Sequence, residues 1–225
     1  MIEIREDALK QHDCLVVAFA GLGHALGGIP YEFHRTLSGV DCAALYVRDL
    51  GRRWYQYGPG DGDSDPRQVI KRIRQAKKHC GARRLVFLGN SMGGFGALMY
   101  AALMPQADAV LAFSPQTVIL PGHDERWLSY WQEIPNPRYG DLAALPRPKA
   151  DVLLIYDEFN PLERKHIRHL LQTWPRCHVR MSPGNHDVAA SLLASGELAP
   201  LIAQAIASEP RLPLLQRLQR WWDFR

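Results

Sequence analysis

In Leu85-Val-Phe-Leu-Gly-Asn-Ser-Met-Gly-Gly-Phe-Gly-Ala-Leu-Met-Tyr-Ala-Ala-Leu-Met104, an apolar run, a serine between glycines and a small-residue segment follow one another without a break. Leu85 to Leu88 carry no charge and lie between Arg84 and Gly89. Such a run reads as a strand covered on both faces, as in a parallel sheet. Gly94 to Met104 mixes small and apolar residues with good helix formers and reads as a buried helix. Gly89-Asn90-Ser91-Met92-Gly93 must make the turn between them. A serine on so tight a turn has a strained backbone. The positions two before and two after it need to be almost free of side chain, because strand and helix approach closely there. Gly89 and Gly93 meet that need, and the turn holds the Ser91 hydroxyl clear of the backbone at a helix N-terminus.

Outward from this unit, the same alternation repeats. Upstream, Cys14 to Phe19 is a buried strand opening into Ala20-Gly-Leu-Gly-His-Ala-Leu-Gly-Gly-Ile-Pro30, a glycine-rich loop. Ile2 to Ile4 reads as an edge strand, Tyr31 to Leu37 as a short helix, and Ala43 to Val47 as a strand ending in Arg48-Asp49-Leu50-Gly51. Pro66 to His79 reads as a helix with Asp65 as its cap and Pro66 at its first position. Downstream come strands at Ala109 to Phe113, Val152 to Tyr156 and His178 to Met181, a helix at Leu162 to Gln172, and a helical region from Asp187 to Ser208 interrupted by Gly196 and Pro200. Residues 116–150 break the rhythm with five prolines and one short amphipathic stretch, Glu125 to Ile134. The pattern predicts an α/β fold: a mostly parallel central sheet with helices on both faces and a short lid-like insertion at about 116–150. The domain is expected over 1–208, with 209–225 as an amphipathic tail.

The chain has 225 residues, enough for one domain with a sizeable core. Its net charge of +4 is too small to argue for a nucleic-acid partner. The N-terminus is charged from Glu3 and lacks an apolar segment, so no signal peptide is expected, and no apolar run approaches a membrane-spanning length. The four cysteines, Cys14, Cys42, Cys80 and Cys177, are widely spaced without a C-x-x-C. They fit reduced thiols in a cytoplasmic protein better than a disulfide framework or zinc site. No metal and no cofactor is expected.

A serine hydroxyl near neutral pH needs a base within hydrogen-bonding reach, and the base needs an orienting partner. Of nine histidines, only His186, in Ser182-Pro-Gly-Asn-His-Asp187, falls between the last expected strand and the last helical region. Glu163, His166 and His169 share a helical face by their spacing of three; a solvated face is the expected reading of that trio, since no fourth ligand is evident. His24 stands in the glycine loop, where it either lines a site or simply meets solvent.

The glycine-flanked Ser91 turn and the His186 loop together resemble the α/β-hydrolase superfamily, over about residues 14–206. The resemblance implies an acyl-enzyme mechanism in which His186 serves Ser91. It places an acid just past the strand before the last, in Tyr156-Asp-Glu-Phe-Asn-Pro161. The register common in the family puts Asn160 where an acid is usual. Asp157 is therefore the favoured acid, with Asn160 second and Glu158 third. The oxyanion on the attacked carbonyl needs two preorganised donors. The resemblance assigns them to the backbone N–H of Met92 and to the loop after the first major strand, at Leu22 or Gly21. Asp49 is expected to organise its own loop.

Three features bear on substrate. Trp127 and Trp131, four residues apart, either line an acyl pocket or pack the short helix onto the domain. The helix from Arg67 to Lys78 carries a run of Lys and Arg without an acid; it is a solvated face or a docking site for an acidic carrier protein or anionic membrane. In the tail, Leu214, Leu215, Leu218, Trp221 and Trp222 recur at helical spacing, as in a helix that folds back or lies on a membrane. The expected activity is cleavage of a small-molecule carboxylic ester or thioester; transfer of the acyl group, or a non-catalytic binding module on the same fold, are the alternatives.

Overall fold

The computed structural model describes residues 1–6, 9–24, 31–59, 64–134 and 136–207, with His24 described by its backbone only. The tail at 209–225 therefore lies outside the described residues. The chain forms a seven-stranded sheet. In chain order the strands are β1 (Ile2–Arg5), β2 (Cys14–Phe19), β3 (Ala43–Asp49), β4 (Arg84–Asn90), β5 (Ala109–Phe113), β6 (Asp151–Tyr156) and β7 (His178–Met181). Their spatial order is β1-β3-β2-β4-β5-β6-β7. Only β1 is antiparallel, pairing Ile2 with Asp49 and Arg5 with Tyr46 at one edge.

The helices are α1 (His34–Ser38), α2 (Arg67–His79), α3 (Met92–Leu103), α4 (Leu128–Trp131), α5 (Pro161–Thr173), α6 (Val188–Ala194) and α7 (Leu198–Ala207). Strand residues alternate between two cores. Leu15, Val17, Phe19, Phe87 and Val110 pack with residues of α2, α3 and α5. Val16, Ala18, Val86, Leu88 and Leu111 pack with residues of α1, α6 and α7. Both faces are thus covered, which is why β2 and β4 are apolar runs rather than alternating ones.

The ends of the helices follow their sequence signals. Asp65 accepts from the Arg67 N–H at 2.8 Å and caps α2. The last helical region splits at Gly196, whose φ of 78° ends α6; Pro200 sits in the first turn of α7, where a missing N–H costs nothing. On α2, Val69, Ile70, Ile73 and Ala76 are buried and the basic residues lie opposite. Arg72 pairs with Glu6 and Arg83 with Asp13 across the surface. No single described helix is long and apolar enough to cross a membrane.

The insertion is folded onto the domain. A bridge joins Val118 to Asp141, and Trp131 is buried edge-on against Trp54 at 5.7 Å. Trp131 is therefore core, the packing alternative of the two open for the Trp127–Trp131 pair, and its candidate substrate-binding role is corrected. The parallel register aligns Phe19 with Gly89 and Asn90 with Phe113. It gathers Gly21, Ser91, Ser114 and Asp157, each just past its strand, at one end of the sheet, where ligands bind in open parallel sheets.

Candidate active site

Ser91 has φ 54° and ψ −119°, a conformation that side chains disfavour. The surroundings impose it. Its N–H donates to the Phe113 carbonyl at 2.8 Å, and its own carbonyl accepts from Phe95 in the first turn of α3. A Cβ on Gly89 would run into the carbonyl of Gly93, and a Cβ on Gly93 into that of Phe19. The two glycines are the condition for β4, α3 and β2 to meet where they do.

The Ser91 Oγ lies 2.9 Å from His186 Nε2, and His186 Nδ1 lies 2.8 Å from Glu163 Oε1. A carboxylate only accepts, so Nδ1 carries the hydrogen and Nε2 is free to take the serine proton. The acid behind His186 is thus Glu163, and the expectation for Asp157 is corrected. Asp157 faces the loop backbone instead. One oxygen accepts from Gly184 and Asn185 N–H at 3.0 and 2.8 Å, the other from Phe159 N–H at 2.9 Å. Burial alone would push this carboxyl up, but those three amides hold it below the usual aspartate value. Asp157 builds the bend that presents His186. Asn160 is not the acid either: its Oδ1 caps α5 through Leu162 and Glu163 N–H, and its Nδ2 donates to Asn185. Glu158 makes its contact through its carbonyl, which accepts from Arg164.

The trio on α5 is not a solvated face. Glu163 is 1% exposed and His166 fully buried. Arg126 donates to Glu163 Oε1 at 2.9 Å and also grips Asp124. Asp124 is contacted in turn by His166 Nε2 at 3.2 Å. The Thr117 N–H donates to His166 Nδ1, so that nitrogen is bare and Nε2–H donates to Asp124. Burial would raise the Asp124 carboxyl; the bonds from His166 and Arg126 overcome this and hold it well below the carboxylate range. Two buried carboxylates and one guanidinium leave a single uncompensated negative charge, and His186 sits on it. A His186 that gains a proton completes the neutralisation. His169 bonds Asp141 instead, and among the described residues no group of three or more His, Cys, Asp or Glu is arranged to hold a metal ion.

Two further side chains touch this machinery without a local sequence signal. Gln116, fully buried after β5, has its Nε2 3.2 Å from Ser91 Oγ and its Oε1 3.2 Å from Trp54 Nε1. Glu32, approaching from before α1, accepts from the Gly21 N–H and from Asn90 Nδ2. It ties the glycine loop to the residue preceding the nucleophile. Burial pushes its carboxyl up to about 7 against those two bonds. The Gly21 N–H, one of the two loop amides expected to serve an oxyanion, is thereby engaged. Asp49 organises its loop as expected, accepting from Gly51, Arg53 and Tyr55 N–H.

Two clefts meet at His186, and the first of them is also lined by Ser91. One, about 420 Å³, is lined by Leu22, Phe33, Trp127, Ala189, Leu193 and Leu198, with Glu32 and Asn90 at its polar wall. The other, about 590 Å³ and more open to solvent, is lined by Arg126, Trp127, Phe159, Asn160, Asn185 and His186. Trp127 belongs to both, its ring 5.4 Å from that of His186. A larger cavity of about 730 Å³ lies at the opposite end of the sheet, beside Cys14, Arg84 and Asp108. Its thiol, raised to about 12 by burial, is no nucleophile near neutral pH.

No family model matches the sequence, and no curated protein matches it. Solved structures do match. The Glycosylation Associate Protein (Gap123) complex from Streptococcus agalactiae superposes with TM-score 0.65 at 14% identity, over 88% of this chain and 43% of that one. This chain therefore spans less than half of that protein's length. The capsule O-acetyltransferase of Neisseria meningitidis serogroup A gives 0.63 at 15% identity, over 88% of this chain and 89% of that one. An esterase of Pyrobaculum calidifontis gives 0.61 at 14% identity, over 92% and 79%. At such identities the likeness speaks for architecture: the chain has the α/β-hydrolase fold.

Proposed function

We propose that this protein is a serine enzyme of acyl transfer, a hydrolase that cleaves a carboxylic ester or thioester through an acyl-Ser91 intermediate. The observation that carries the reading is the continuous hydrogen-bonded line from Ser91 through His186 to Glu163. His186 takes the Ser91 proton as Oγ attacks the substrate carbonyl. Glu163 holds the imidazole in the required tautomer and compensates its charge. The Met92 and Leu22 amides receive the oxyanion, and His186 then protonates the leaving group and activates water.

Transfer of the acyl group to an alcohol is the second reading, and one observation favours it. The second, more open cleft is lined by His186 but not by Ser91, so it offers an acceptor hydroxyl a place beside the base while an acyl group occupies the first cleft, which Ser91 lines. The matching fold of the capsule O-acetyltransferase agrees with that reading.

A fluorophosphonate probe tests both readings at once. Labelling of the wild type that disappears in Ser91→Ala is the expected result; a folded wild type that takes no label would refute a working nucleophile. Acetyl and longer acyl esters and thioesters, each with and without added sugar alcohols, then separate hydrolysis from transfer.

A further inference from the structure

We infer that Gln116 is a fourth member of the catalytic group, a fixed donor to the nucleophile oxygen itself. The inference rests on the proposed role of Ser91. The amide orientation follows from its neighbours. Trp54 Nε1–H can only donate, so the Gln116 atom that faces it at 3.2 Å is the oxygen. The Nε2 group then points at Ser91 Oγ, 3.2 Å away. Oε1 is also 3.4 Å from Oγ, but the serine has one hydrogen and His186 Nε2 is nearer, at 2.9 Å. The line therefore runs in one direction: Gln116 N–H donates to Oγ, Oγ–H to His186, and His186 Nδ1–H to Glu163.

The scaffold holds this amide rigidly. Gln116 and Trp54 are fully buried, and Trp54 is locked by an edge contact to Trp131. Gln116 follows Ser114, at φ 40°, and Pro115, directly off the end of β5 beside the Ser91 turn. When His186 removes the serine proton, negative charge develops on Oγ. A neutral donor already aimed there, away from bulk water, stabilises that charge without reorganising. The same atom becomes the leaving group when water or an acceptor attacks the acyl-enzyme, so the donor assists both halves of the reaction. No other described side chain apart from His186 is hydrogen-bonded to Oγ.

The test is the second-order rate of fluorophosphonate labelling across pH, with wild type, Ser91→Ala, Gln116→Met and Gln116→Glu, each checked by thermal melting. Gln116→Met keeps the length and removes the donor; labelling is expected to slow about 100-fold at every pH, the lower end of the range seen when one preorganised donor is lost. Gln116→Glu keeps the shape and the acceptor for Trp54 and stands in should the methionine variant fail to fold. Its carboxylate, once ionised, draws the serine hydrogen away from His186. Its labelling is expected to fall as pH rises, over the range where wild-type labelling rises. A purely structural role would shift melting and leave the pH profile alone. Wild-type labelling with variant rates within twofold of it and an unchanged profile would overturn the inference. Absence of labelling in the wild type would instead overturn the nucleophile reading beneath it.

Discussion

Glu163 and Asp157 are both buried acids near His186, and they do different things. Glu163 bonds the imidazole; Asp157 bonds the backbone that carries it. Glu163→Gln is expected to lower kcat/KM about 10³-fold with little loss of stability, because an amide can present the wrong group to Nδ1 and cannot balance an imidazolium. Asp157→Asn is expected to retain activity within about threefold and to lose about 1 kcal/mol of stability. Ester hydrolysis and urea unfolding of the two variants check this; the reverse ranking would restore Asp157 as the acid. Ser91 and His186 were legible in the sequence because each sits in a short segment whose glycines and neighbours fix its place. The acid was not, because Glu163 lies within the first turn of α5, seven residues beyond the end of β6 by sequence number. A signal was nonetheless present. Glu163, His166, Ile167 and Leu170 are the buried residues of that helix. Their i, i+3, i+4, i+7 pattern is a core stripe, and an acid and a histidine in a core stripe require partners. Gln116 had no comparable signal; only the meeting of β5 with the Trp54 loop reveals it.

The strand-turn-helix around Ser91 shows how little freedom an element has once three backbones converge. Gly93 packs against the carbonyl end of β2, not merely against its own strand. Gly93→Ala is expected to destabilise the protein by about 3 kcal/mol or prevent folding, since the obstacle is backbone and cannot rotate away. Gly23, against which an added Cβ meets nothing within 4 Å, provides the contrast: Gly23→Ala is expected to change stability by less than about 0.5 kcal/mol. Thermal melting of the pair is decisive. The elements themselves were largely legible, since β2, β4, β5, β6 and α3 are long, uniform runs. The insertion was less so. Its helical piece is only Leu128–Trp131 after a 3-10 turn at Glu125–Trp127, and one of its two tryptophans went to the core while the other went to the site. Spacing of four predicts a shared helical face, but that face does not continue across a change of helix type.

At the scale of the whole molecule, Glu32 couples folding to pH. Its carboxyl is raised from 4.5 to about 7, chiefly by burial. An acid that holds its proton more tightly when folded contributes its full stability below its unfolded value and loses it as pH rises through the folded one. The stability of the wild type relative to Glu32→Gln, which does not ionise, is therefore expected to decline between about pH 5 and pH 8. Denaturant midpoints of both proteins at several pH values measure this difference with all other groups held in common. A difference that stays flat would mean that Glu32 ionises normally, and that the glycine loop is not held by a reluctant anion.

Trp127 lines both of the clefts that share His186. On the proposed reading, this wall has a kinetic meaning. The departing alcohol and its successor pass through the same doorway, while the acyl group waits behind the tryptophan. Water and an acceptor then compete for one position, and the first product competes with both. On that reading the fate of the acyl group is decided by occupancy of that doorway after the first bond has broken, and a change at the exposed Phe159 is expected to shift the ratio of hydrolysis to transfer.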